Sequence, residues 1–287
     1  MKNKPNLKIP RKIWILWYQG LSEAPLIVKK CINSWKNENP NWDVIVLDKD
    51  NLNDYIDDAL SPEKMDKLSF TKRSDLFRLQ LLAKFGGVWA DATTLCMKSL
   101  DDWIDEYAES GFFAFSTPGK DRILSSWFIA GSKDCQIIIK WDKYFISYFR
   151  HNNFNNESIF KQKMINYLSR FFNKNINTTR YWFSPIVTKI LRIYPHFIIH
   201  YAFERIISKN PECQIIWNST KKINADLPHK IQILGLFSSL NENIKSEIIE
   251  KHTPIYKLTL YYDHDKYSPS TLLYFLLEGR HQIKNKS

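Results

Sequence analysis

The chain has 287 residues, 44% hydrophobic and 25% charged, which is enough for one large α/β domain and excludes a disordered polypeptide. No apolar run approaches the roughly 18 residues of a membrane-spanning helix. The formal net charge is +11, and most of the excess lies between Lys143 and Lys209, where 11 Lys/Arg face two acids, Glu157 and Glu204. That stretch is also crowded with Tyr, Phe and Trp, which predicts one basic, aromatic face against a nearly neutral remainder.

The start, Met1 to Lys12, is basic, broken by Pro5 and Pro10, and lacks an apolar centre, so no secretory signal is expected there. Arg11 to Tyr18 is β-branched and aromatic and reads as a buried strand ended by Gln19-Gly20. Glu23 to Asn37 carries Leu26, Ile27, Cys31 and Trp35 near helical spacing, and Pro40 closes it. Val44 to Leu47 is a second strand. Ser61-Pro62 opens a helical region that runs to Phe85 and is stopped by Gly86-Gly87. Val88 to Ala90 is then a third strand, with Asp91 at its end. The alternation predicts a parallel sheet with crossover helices. Phe112 to Phe115 and Trp127 to Ala130 read as further strands, Cys135 to Ile207 as helices interrupted at Asn152–Asn156 and Asn173–Thr179, and Thr271 to Leu277 as a short last helix. One domain with two lobes is expected, residues 1–131 and 132–287.

Arg73 to Leu95 (RSDLFRLQLLAKFGGVWADATTL) is the segment richest in chemistry. Asp75 and Arg78 stand three apart and share a helix face, with Leu76, Leu79 and Ala83 on the face that docks on the sheet. The strand after Gly-Gly delivers Asp91 to the carboxyl edge of a parallel sheet, where such sheets bind ligands. Asp48-Lys49-Asp50 reads as a solvated turn and His200 as a core histidine, while Asp263-His264-Asp265 is a candidate for a late loop over the site. The four cysteines, Cys31, Cys96, Cys135 and Cys213, lack paired spacing and fit a reducing cytoplasm. There is no GxSxG, Walker loop or GxGxxG, and only eight glycines to build a phosphate cradle.

Ser74, Asp75, Arg78, Gly86, Gly87 and Asp91 resemble, in type and order, the nucleotide-sugar core of DxD glycosyltransferases. These are the capsular polysaccharide synthesis family, its mannosyl- and galactosyltransferase relatives, and the large clostridial glucosylating toxins. The resemblance extends to IPRKIWILWYQG, SWKNENPNW and VIVLDKDN near the start, to SSWFIAG and YPHFIIHYAF in the middle, and to YKLTL near the end. It implies a GT-A fold, a Rossmann-like, mostly parallel sheet, here with a helical basic-aromatic elaboration. It also implies a sugar nucleotide donor, UDP-sugar by preference, a glycan or lipid-linked acceptor, and retention at the anomeric carbon. Trp17 falls where the family stacks an aromatic ring on the nucleotide base, and Ser74, Asp75, Arg78 and Asp91 fall on its donor-binding positions.

The family's Asp-x-Asp is Asp91-Ala92-Thr93 here, so the second carboxylate, the direct metal ligand of the resembling toxins, is a threonine. Two expectations follow. Asp91 and the Thr93 hydroxyl retain a weakened Mn²⁺ or Mg²⁺ site completed by water, or a lysine near YKLTL, Lys257, neutralises the diphosphate in its place. The first is the expectation carried forward. The basic region implies peripheral attachment to anionic lipid on the cytoplasmic side of the plasma membrane. A single-stranded nucleic-acid binder and a non-catalytic sugar-nucleotide binder are the competing readings, and nucleic acid is not the expected partner.

Overall fold

A computed structural model describes residues 7–156 and 158–279. The N-terminal Met1–Asn6 and Glu157 of the basic stretch lie outside the described residues. In chain order the elements are β1 (Lys12–Leu16), α1 (Leu26–Glu38), β2 (Asp43–Leu47), α2 (Pro62–Asp66), α3 (Phe70–Phe85), β3 (Gly87–Ala90), β4 (Thr94–Cys96) and α4 (Ile104–Tyr107). The hairpin β5 (Phe112–Gly119) and β6 (Arg122–Gly131) follows. Then come α5 (Gln136–Arg150), α6 (Ile159–Phe172), α7 (Ile176–Thr179), α8 (Ile198–Lys209), α9 (Pro211–Ser219), α10 (Asp226–Leu234) and α11 (Glu242–Ile249), and finally β7 (Ile255–Lys257) and α12 (Leu272–Tyr274).

The main sheet has the order β2-β1-β3-β6-β5. β1 is parallel to β2 and β3, and β6 alone runs against its neighbours, so the expected α/β architecture with a mostly parallel sheet is present. Strands of this kind are covered on both faces and alternate between two cores. In β1, Ile13 and Ile15 join α1 residues Ile27, Cys31 and Trp35, while Trp14 joins α3 residues Leu76, Leu79 and Leu82. Both cores also recruit residues beyond position 131, Tyr256 and Leu273 on the α1 side and Trp141 and Phe203 on the α3 side.

Two local features fix α3 and with it the site. The Ser69 hydroxyl accepts the Lys72 amide at 3.4 Å as an N-cap, which breaks the helical region begun at Pro62 into two helices. At the other end Gly86 and Gly87 take φ of 67° and 96°, conformations in which a side chain is strained. A Cβ on Gly87 would lie 2.6 Å from the Lys12 carbonyl oxygen, so the glycine permits β3 to approach β1. The Trp14 indole donates to the Gly86 carbonyl at 2.9 Å and seals the same corner.

The segment expected to resemble a family ending does form a strand. β7 pairs antiparallel with β4, Lys257 standing opposite Thr94, and the Leu258 amide donates to the Thr93 carbonyl at 2.9 Å. Residues at the C-terminal end of the chain are thereby fastened beside Asp91.

Gly87→Ala tests the corner: strain and overlap should cost at least about 2 kcal/mol, a fall in Tm of roughly 4–8 °C. An unchanged melting temperature would show that β1 and β3 do not need the close approach.

Candidate functional site

Asp91 follows β3, its amide donating to the Trp127 carbonyl at 2.8 Å. Side chains two apart on a strand share a face, and the Trp89 indole accordingly donates to Asp91 Oδ1 at 2.9 Å. Arg78 Nη2 donates to the same oxygen at 3.0 Å, and Lys257 Nζ donates to Oδ2 at 3.2 Å. Burial alone would raise the carboxyl pKa. The adjacent Lys257 and Arg78 charges and the Trp89 and Lys257 hydrogen bonds outweigh it, so Asp91 is held below the usual carboxylate value. Its side chain still keeps 29% of its surface exposed.

α3 supplies a buried charged stripe at three-residue spacing. Lys72 Nζ donates to Asp75 Oδ2 at 2.6 Å, and Asp75 Oδ1 lies 3.4 Å from Arg78 Nη1, which itself donates to the Ser126 carbonyl at 2.6 Å. The Lys72 and Asp75 side chains are each only 3% exposed. Asp75, expected to hold sugar or ribose hydroxyls, is thus engaged by two cations and positions them at the cleft. Arg78 also lies over the Trp89 ring, 5.0 Å from its centre.

These residues open onto a cleft of about 400 Å³. Its far wall comes from Arg122 on β6, from His196, Phe197 and His200 at the start of α8, and from His229 on α10. Arg122 stacks 3.6 Å from the Phe197 ring centre and pairs with Asp121 at 3.2 Å, while Asp121 also accepts from the Tyr201 hydroxyl. Four cations, Lys72, Arg78, Arg122 and Lys257, line the cleft with two carboxylates, Asp75 and Asp91, and with Asp121 holding Arg122 the balance is still one positive charge, suited to an anionic ligand.

The residues named for a metal do not fit one. Lys257 Nζ donates to Thr93 Oγ1 at 2.6 Å as well as to Asp91 Oδ2, so an ammonium spans the two groups that a Mn²⁺ or Mg²⁺ ion would need. A divalent cation there would face Lys257 and Arg78 with one carboxylate to offset them. Among the described residues no group of three or more His, Cys, Asp or Glu side chains is arranged for a metal.

Other candidates lie elsewhere. Trp17, at the carboxyl end of β1, is half-buried against the α1-side core, with its indole N–H buried and unpartnered among the described residues. Neither it nor the half-buried Ser74 lines the cleft. Asp48 Oδ1 accepts the Asp50 and Asn51 amides and caps the turn that its sequence suggests. Asp263 pairs with Lys266 at 3.2 Å in an exposed turn, and neither it nor Asp265 lines the cleft. His200, read as a core histidine, does line the cleft, with Nδ1 buried and unpartnered among the described residues. Lys72, Arg122, His196 and His229 were not singled out by sequence. Of these, Lys72 carried a signal, three residues before Asp75 as Asp75 is before Arg78, and His196 lies within YPHFIIHYAF, a segment of the resemblance.

A family model described as "Capsular polysaccharide synthesis protein" matches residues 1–184. The O-glycosyltransferase braB of Annulohypoxylon truncatum is 29% identical over 151 residues, 46% of this chain and 36% of its own length. The initiation-specific alpha-1,6-mannosyltransferase of Candida albicans is 30% identical over 104 residues, 33% of this chain and 27% of its own. The chain thus spans about a third of the length of these relatives. A solved structure, the PaToxG glycosyltransferase, aligns at 14% identity with a TM-score of 0.38, covering 75% of this chain and 88% of that one.

The histidine wall has a pH signature. Burial, then the Arg122, Lys72 and Arg78 charges, push His200 well below its ordinary value of 6.5. The unfolded chain therefore binds a proton near pH 6.5 that the folded chain refuses, so stability is fully present above that pH and is lost as pH falls. His200→Gln should flatten the decline of stability between about pH 6.5 and 5 in denaturant titrations. An unaltered slope would mean that His200 is not the group responsible.

Proposed function

Because the chain belongs to the capsular polysaccharide synthesis protein family, we propose that it transfers a sugar from a nucleoside diphosphate sugar, a UDP-sugar, to a glycan or lipid-linked acceptor of a cell-surface polysaccharide. The observation that carries this reading is the Lys257 ammonium held between Asp91 and Thr93 at the mouth of a cationic cleft. Transfer breaks the bond between the anomeric carbon and a diphosphate oxygen, leaving negative charge on the departing phosphate and positive charge on the sugar ring. An ammonium has three N–H donors. Asp91 and Thr93 take two, and the third is available to the departing oxygen. Asp91, kept ionised by Arg78, fixes the lysine in place before the charge develops, which is the condition for strong electrostatic stabilisation. Lys72 and Arg122 add positive potential along the cleft. Trp17, outside the lining of the cleft but at the same sheet edge, is assigned to the base, and the sugar is delivered with retention, as in the families that the sequence resembles.

On this reading catalysis needs no divalent ion. Protein shown metal-free by elemental analysis should keep its turnover of UDP-sugar in EDTA, whereas Lys257→Ala should lose about 10²–10³-fold in kcat, the scale of removing one preorganised donor. Asp91→Asn, which frees the lysine, should fall with it and also melt lower than wild type, because Arg78 and Lys257 lose the carboxylate between them. Activity abolished by EDTA and restored by Mn²⁺ would reverse the assignment.

The acceptor meets the enzyme at an anionic membrane surface. The outer face of α6 exposes Phe160 at 69%, with Ile159, Tyr167 and Phe171, and the segment 186–191 exposes Ile190 at 73%. Lys161, Lys163, Arg170, Lys174 and Lys189 are interleaved with these side chains, and each cation near anionic lipid contributes about 1 kcal/mol. Among the described residues no helix is long and apolar enough to cross a membrane. The protein should sediment with phosphatidylserine vesicles at low salt and be released at high salt, while Phe160→Ser with Lys163→Glu should abolish sedimentation. Equal recovery with neutral vesicles would refute a charge-guided contact.

A further inference from the structure

A second concavity, of about 680 Å³, lies between the first turn of α3, the inner face of α6 and the segment preceding α8. It shares Thr71, Lys72 and His196 with the cationic cleft, so the two adjoin. We propose that this groove is the acceptor site and that it binds a neutral oligosaccharide; the assignment rests on the donor reading given above.

The contrast in charge between the two spaces carries the argument. At the groove's rim Asp66 is engaged by Arg73 at 3.4 Å and Lys67 is exposed to solvent, while Lys72 is already paired with Asp75 at 2.6 Å. Burial, with the Lys72 charge next, lowers the His196 pKa, so that ring is neutral at pH 7. What remains is amides and hydroxyls: Asn156, Gln162 and Asn166 with Ser69 and Thr71. Each amide offers both a donor and an acceptor, as does each sugar hydroxyl. A phosphate or uronic acid would meet only the exposed Lys67 at the rim, and no unpaired cation further in among the described residues. Space of this size is in the range of small-molecule sites.

The wall is also set in advance. Asn156 Nδ2 donates to the Tyr194 carbonyl at 2.9 Å while the Tyr194 amide donates to Asn156 Oδ1 at 3.2 Å. Gln162 Nε2 donates to the Asn156 carbonyl at 2.5 Å, which ties α6 to the same loop. Asn166 stands one turn beyond Gln162 on the same helix face, exposed, with no protein hydrogen bond from its side chain among the described residues. Phe160, two residues before Gln162 and exposed, lies on the opposite side of the same helix, so α6 stands between the groove and its exposed aromatic side chains.

The test uses maltotriose, cellotriose and mannotriose as neutral probes and trigalacturonate as the charged one, titrated into the UDP-loaded protein and followed by ligand-observed NMR. At least one neutral trisaccharide should bind, more tightly than trigalacturonate, and Asn166→Trp should weaken it at least about tenfold, or about 1.4 kcal/mol. Gln162→Ala, which removes an amide without filling the space, should weaken it as well. Absence of binding by all three, tighter binding of trigalacturonate, or binding unchanged in Asn166→Trp would overturn the groove. Thermal stabilisation by UDP distinguishes the two levels. If it persists in wild type and variants while trisaccharide binding fails, only the groove is wrong; if it is absent from the wild type, the donor reading falls first.

Discussion

The contact between Lys257 and Asp91 joins positions 166 residues apart and ties the last strand of the chain to the end of β3. Burying a carboxylate is costly unless cations and donors surround it, and Arg78, Trp89 and Lys257 all point at this one. The arrangement is mutual, because without Asp91 the Lys257 ammonium would have no carboxylate partner and Arg78 would share Asp75 with Lys72. β7 pairs with β4 and supplies the lysine, α3 supplies the arginine, and β3 supplies both the tryptophan and the aspartate. The sheet edge is therefore assembled around a charge balance as much as around a hydrophobic core.

That balance makes Thr93 intelligible. A threonine is a poor partner for a hard divalent cation, yet its hydroxyl is a good acceptor for an ammonium, and it receives Lys257 at 2.6 Å. Lys257 is anchored at two points, the Asp91 carboxylate and the Thr93 hydroxyl.

Three surfaces of different chemistry lie around the helical part of the chain. The cleft is cationic, the adjoining groove is amide-rich with one exposed lysine at its rim, and α6 exposes aromatic side chains interleaved with lysines. The buried contact of α6 is narrow, Ile165 being its one buried residue.

Local pattern determined much of this. β1, β2, α3, the Gly-Gly turn and β3 follow from apolar alternation, helical spacing and the backbone freedom of glycine, all properties of neighbouring residues. Asp75 and Arg78 share a face because they are three apart, and Asp91 reaches the sheet edge because it follows the strand. The family was legible in those same residues, and the model matching residues 1–184 agrees with it. Spacing also contained Lys72, which continues the stripe one step earlier. Long-range folding decided the rest. Arg122, His196, His200 and His229 come from a hairpin and two helices, and no periodicity relates them to Asp91. The sequence presented Lys257 only as a candidate near YKLTL, and the β4–β7 register determined which atoms it meets. A metal ligand and a lysine partner can be the same threonine in sequence; what distinguishes them is the position of a cation brought from the other end of the chain.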